Sequence, residues 1–140
     1  MPVHMIDSKI YGNAWGTDEM RTMFDEIPRT QAWLEIISSL AEAQAEVGLI
    51  PSKAVPEIIR ICDVKKLDMD SLRKEYDKSG HSMHGLIQEL KKLCKGTAGE
   101  WIYYGATVQD ITDTWMSMVL TKVWSIVFRD LRRIEHDLLV

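Results

Sequence analysis

Apolar residues recur along this chain at spacings of three and four, the period of a helix packed on one side. No β-branched run alternates with polar residues at period two, and no Asn-Gly or Asp-Gly pair offers a hairpin turn. The pattern predicts an all-α fold. The first helix opens at Thr17, with Asp18 and Glu19 in the turn where a helix dipole favours acids. Pro28 interrupts it, because proline lacks an amide hydrogen and clashes with the preceding turn. A longer helix follows from Arg29 to Val47, with Trp33, Ile36, Ile37, Leu40, Ala43 and Val47 on its apolar face. Gly48 ends it as a left-handed cap would.

Ser52 caps the next helix, which carries Val55, Ile58, Ile59 and Ile61, with Pro56 near its first turn. A short polar helix runs from Asp70 to Lys78 and ends at Gly80. Ser82 to Cys94 forms another, with Leu86, Ile87, Leu90 and Leu93 facing inward. The connection from Lys95 to Gly105 holds Trp101, Tyr103 and Tyr104.

The last helix is predicted from Thr107 to Val140, roughly 50 Å at 1.5 Å per residue. It begins amphipathically, with Val108, Ile111, Trp115 and Val119 on one face. From Trp115 to Phe128 it turns apolar nearly all round, and a helix apolar on every side needs cover on every side. A domain of this size cannot supply that cover, so the helix calls for other parts of a longer chain or other subunits. The chain stops inside this helix without a C-cap. The expected organisation is an N-terminal helical domain, 1–106, leading into the start of a long helix, 107–140.

Composition adds exclusions. The 140 residues suit one domain, and a net charge of −4 leaves no basic face for nucleic acid or anionic lipid. Cys62 and Cys94 lack CxxC or zinc spacing and read as reduced thiols rather than a disulfide. The first residues lack the charge-then-apolar order of a signal peptide, and Trp115 to Phe128 is too short to span a membrane. A soluble, cytoplasmic protein is the expectation.

Candidate chemistry lies around residues 103–114. Gly105 gives the backbone a free turn, Thr107 takes the N-cap position and Asp110 follows three residues on. One reading is a capping box: Thr107 bonds the amide of residue 110 while Asp110 reaches back. The other uses the same geometry as a carboxylate or phosphate site, since free amides at a helix start attract anions. His81 and His84 lie one turn apart, but no carboxylate or cysteine completes a metal site, so neither metal nor cofactor is expected.

Gly105-Ala-Thr-Val-Gln-Asp-Ile-Thr-Asp-Thr114 resembles the G-x-T-S-x-D-x-x-D-T stretch of the fumarase/aspartase superfamily. The resemblance is best to the branch of adenylosuccinate lyase and 3-carboxy-cis,cis-muconate cycloisomerase. Three further segments agree in order. Gly16 to Phe24 resembles the opening x-x-E-M-R-x-x-F/W. Gln31 to Pro51 resembles W-L-x-x-E-x-x-L-A-x-A-x-A-x-x-G-x-I-P. Ser79-Gly-His81 resembles the segment where the family often places an active-site histidine.

The resemblance implies a lyase that removes a proton beside a carboxylate and expels a leaving group from the neighbouring carbon, typically releasing fumarate, or carries out the related cycloisomerisation. Thr107 and nearby amides would hold a carboxylate of a small dicarboxylate-type substrate. Gln109 would line the pocket and Asp110 would order the helix start. His81 would assist in orienting substrate or moving a proton, although a histidine there could equally cap the helix or lie on the surface.

The pattern is broken at several positions. The histidine expected before the glycine turn is Tyr103, a phenol whose ordinary pKa near ~10 does not suit imidazole's work at neutral pH. The expected serine is Val108, the expected glutamate is Ile37, and the Arg-Tyr pair of adenylosuccinate lyases corresponds to Ala14-Trp15. These changes imply an altered substrate, with Tyr103 as a catalytic donor, or a weakened site. The family's mobile-loop base, in a G-S-S-x-M-P-x-K-x-N-P motif, is not among these residues. Its long central helices form a homotetrameric bundle, and sites combine residues of three subunits. The chain alone is therefore expected to self-associate and to be inactive; the alternative is a non-enzymatic helical binding or assembly module.

Overall fold

The computed structural model describes residues 4–139. The first three residues of the N-terminal stretch read above, and the helix end at Val140, lie outside them. Six α-helices follow one another, with short 3-10 turns and no strand among the described residues. They are α1 (Asp18–Phe24), α2 (Glu26–Glu46), α3 (Val55–Ile61), α4 (Met69–Ser79), α5 (His84–Leu93) and α6 (Val108–Leu139).

Local chemistry accounts for several helix ends. The Thr17 hydroxyl accepts from the Met20 amide at 3.2 Å and starts α1. Asp68 accepts from the amides of Asp70 and Ser71 and starts α4. Gly80 closes α4 in the left-handed conformation, and Gly48 adopts it after α2. Two boundaries differ from expectation. The break between α1 and α2 falls at Asp25, which is extended, and Pro28 sits in the first turn of α2. Proline is tolerated there because the first amides of a helix have no intrahelical acceptor. Ser52 opens a 3-10 turn, Ser52–Ala54, and its side chain does not cap α3.

The chain divides into two compact units. One comprises Thr30–Trp115. Its core gathers Leu34 and Ile37 of α2, Ile58 and Ile61 of α3, Met83, Leu86 and Leu90 around α5, and Ile111 of α6, all at most 3% exposed. Burying each such side chain contributes roughly 1.5–3 kcal/mol. Trp33 and Trp115 meet edge to face, with ring centroids 6.3 Å apart. α4 and α5 approach closely at Gly85, where an added Cβ would lie 3.0 Å from Glu75 Cβ. The buried stripe of α2 is Thr30, Leu34, Ile37 and Ala41. The expected members Ala43 and Val47 are exposed, the latter by 72%. The buried stripe is rotated from the expected one, because an Ala- and Ile-rich helix offers several faces of similar apolarity.

The other unit joins residues up to Arg29 with those from Met116 onward. Arg21 organises its N-terminal loop, donating to the carbonyls of Gly12 and Gly16 and pairing with Asp18 at 2.9 Å. Arg129 of α6 grips Glu19 of α1 through both terminal nitrogens, at 3.2 and 3.0 Å. Along α6, Val119 is buried, whereas Met116, Met118, Leu120, Trp124, Val127 and Phe128 are exposed by 40% or more. The helix expected to need cover on all sides thus has it on one side in this chain.

Candidate functional site

The segment that leads into α6 is tied down from both ends. Ala98–Trp101 forms a 3-10 turn, and the Trp101 and Tyr104 rings pack at 5.3 Å. The Gln44 side-chain amide of α2 donates to the Tyr104 carbonyl at 2.7 Å. Tyr103 takes φ +60° and Gly105 φ +69°. Glycine accepts that conformation freely, whereas a side chain there costs about 1 kcal/mol or more. Tyr103 is held in it by packing against the core and by the Ala106 amide, which donates to its carbonyl at 3.3 Å.

The helix start carries half of a capping box. The Thr107 amide donates to Asp110 Oδ2 at 2.7 Å, a charge-assisted bond. The Asp110 amide goes to the Thr107 carbonyl, at 3.2 Å, rather than to its hydroxyl. The Thr107 hydroxyl is therefore left outside the box on an exposed residue. Asp110 also receives the Thr114 hydroxyl at its carbonyl, at 2.6 Å. Gln109 lies in the exposed first turn. Partial burial, and then the Asp110 carboxylate, push the Tyr103 phenol above its ordinary value. At neutral pH the Tyr103 phenol keeps its proton.

His81 lies elsewhere on the same unit, between α4 and α5. Its Nδ1 accepts from the amides of Met83, at 3.3 Å, and His84, at 3.1 Å. The structure thus brings Tyr103, Thr107, Gln109 and Asp110 together. Among the described residues, no hydrogen bond links His81 to them. No group of three His, Cys, Asp or Glu residues suited to a metal occurs among the described residues. Cys62 and Cys94 are free, and burial pushes both thiols up.

Two contributors escaped the sequence reading. Gln44 reads as a solvent-facing residue of α2, and nothing local marks its bond to a carbonyl sixty positions on. Glu57 pairs bidentately with Arg60 and accepts the Lys95 amide at 2.7 Å, while Arg60 reaches the Leu93 carbonyl at 3.0 Å. The i,i+3 spacing of Glu57 and Arg60 was a visible signal for the pair. Its links to the end of α5 were not.

The chain is 34% identical over 139 residues to adenylosuccinate lyase of Methanocaldococcus jannaschii, covering 99% of this chain and 29% of that protein. It is 33% identical over 138 residues to N-acetyl-S-(2-succino)cysteine lyase of Dickeya dadantii, covering 99% of this chain and 30% of that protein. Among solved structures, 3-carboxy-cis,cis-muconate lactonizing enzyme from Pseudomonas putida aligns with a TM-score of 0.79 at 28% identity. That alignment covers 89% of this chain and 29% of that one. No protein-family model matches.

All-helical architecture and these relatives place the chain in the fumarase/aspartase superfamily. Within it, the similarity runs to adenylosuccinate lyase, succinylcysteine lyase and the muconate cycloisomerases. The chain spans about 29–30% of the length of these relatives. No helix among the described residues is long and apolar enough to cross a membrane.

Proposed function

We propose that this chain is part of a lyase that acts by β-elimination, or the related cycloisomerisation, on a small carboxylate-bearing substrate. The observation that carries this reading is the likeness to lyases along 138–139 residues. The start of α6 supports it: an uncommitted Thr107 hydroxyl, an exposed Gln109 and a rigid glycine turn stand at the positive end of a long helix dipole. In this reading Thr107 and Gln109 hold a substrate carboxylate, Asp110 orders the helix start, Tyr103 donates through its hydroxyl and His81 assists. The base that takes the carbon-bound proton comes from outside these residues, and α6 contributes to a homotetrameric bundle. The chain alone is then inactive.

Titration calorimetry with fumarate tests the site. Binding that is lost on Thr107→Ala supports the reading, and a wild-type protein that does not bind overturns it. A second reading, a non-enzymatic binding or assembly module, is favoured by Val108 and by Asp110, whose carboxylate already occupies the Thr107 amide. Fumarate binding that Thr107→Ala abolishes counts against that module.

A further inference from the structure

Gln44 of α2 holds two turns at once. Its backbone carbonyl accepts from the amides of Leu49, at 2.8 Å, and Ile50, at 3.4 Å, and so closes the end of α2. Its side-chain amide crosses to the Tyr104 carbonyl at 2.7 Å. A carbonyl can only accept, so the carboxamide must present its nitrogen to Tyr104. Gln44 Oε1 is thereby buried, without a hydrogen-bond partner among the described residues. A buried acceptor left unpaired is costly. The meeting with Tyr104, rather than the surroundings of the oxygen, therefore fixes how this side chain is turned.

The carbonyl that Gln44 holds lies three residues before Thr107. Between them stands Gly105, at φ +69°, where an added Cβ would meet nothing within 4 Å. Just before it, Tyr103 keeps a left-handed conformation that a side chain disfavours. Relaxing Tyr103 to negative φ would redirect the chain that follows it, including the Tyr104 carbonyl. The bond from the Ala106 amide to the Tyr103 carbonyl, at 3.3 Å, is internal to the turn. Trp101 packs on the Tyr104 ring, and Gln44 holds the Tyr104 backbone from outside the turn. We infer that Gln44 is a positioning residue. By holding the Tyr104 carbonyl it keeps the turn in its left-handed form and sets where the Thr107 amide and hydroxyl stand at the start of α6. Its bearing on ligand binding rests on the lyase reading; its hold on the helix start does not.

Gln31, on the same helix, provides the comparison. Its Oε1 accepts from the Val64 amide at 3.0 Å, so it ties α2 to a different loop. Gln44→Met and Gln31→Met each keep the length of the side chain and remove its hydrogen bonds. In the 15N-labelled protein the Thr107 amide proton should resonate downfield, since it donates to a carboxylate at 2.7 Å. In Gln44→Met it should move upfield, and the Ala106 amide should exchange about fivefold faster, the factor for one ordinary hydrogen bond. Gln31→Met should leave both as they are in the wild type. A Thr107 signal that stays in place in Gln44→Met, or that moves equally in the two variants, overturns the assignment. In calorimetry with fumarate, Kd should rise about fivefold in Gln44→Met, as the binding-competent turn becomes less populated, and stay unchanged in Gln31→Met. If the wild type and Gln44→Met bind fumarate alike, the role in ligand binding is overturned and the lyase reading stands. If the wild type does not bind fumarate, the lyase reading falls, and the Thr107 signal decides the hold on the helix start.

Discussion

The side-chain amide of Gln44 donates to the carbonyl of Tyr104 across 2.7 Å and sixty positions of sequence. This bond fastens the loop before α6 to α2, just where Tyr103 and Gly105 hold left-handed backbone. Gln44→Ala should lower stability by about 1 kcal/mol, the net worth of an ordinary hydrogen bond. Urea denaturation measures it, and an unchanged midpoint would show that the loop is held without this bond.

Core and surface positions of α2 should respond very differently. Leu34 is fully buried, so Leu34→Ala should cost roughly 2–5 kcal/mol through lost burial and the cavity left behind. Val47, just past the end of α2, is 72% exposed, and Val47→Ala should change stability by less than about 0.5 kcal/mol. Similar losses at the two sites in chemical denaturation would contradict the observed register of the helix.

Acid should loosen the join between α3 and the end of α5. Arg60 and the Lys95 amide hold the Glu57 carboxyl at about 2, below its ordinary 4.5. A group whose folded pKa is depressed stabilises the fold above its unfolded value and loses that contribution as pH falls through the folded one. The stability difference between the wild type and Glu57→Gln should therefore be constant above about pH 4.5 and shrink between about 4.5 and 2. Glu57 is a solvent-accessible group, so added salt should reduce the difference. A gap that is independent of pH across that window would dismiss the assignment.

Asp110 both caps α6 and competes for its first amide. Asp110→Ala should destabilise the helix start by about 1 kcal/mol. Asp110→Asn keeps an acceptor and removes the negative charge, so under the lyase reading it should bind fumarate more tightly than the wild type. Calorimetry that finds weaker binding in Asp110→Asn would assign the carboxylate a direct part in holding the ligand.

The exposed apolar surface of α6 should drive self-association. Trp124 and Phe128 stack at 5.9 Å and are 65% and 52% exposed. Sedimentation of the wild type should show mass rising with concentration, and Trp124→Glu should return it toward the monomer. A wild type that stays monomeric at high micromolar concentration would count against the assembly expectation.

Much of the fold was legible in the chain itself. Helical periodicity, the Thr17 cap, the glycine stops at 48 and 80 and the glycine turn at 105 are encoded within a few residues of where they act. The resemblance spread over four segments was also legible, because each lies in a short, contiguous motif. Other features depended on tertiary structure. The stripe that α2 buries is decided by what packs against it, and for an Ala- and Ile-rich helix several stripes have nearly equal apolarity. Gln44 reaches Tyr104, and Arg60 reaches Leu93, only because distant segments are brought side by side. The sequence by itself determined that the chain is helical and where several of the helices start and stop, since those signals are local. Tertiary structure decided which face α2 buries and which polar groups meet, since both are set by neighbours far away along the chain, whereas the inward faces of α5 and of the start of α6 were already written in their periodicity.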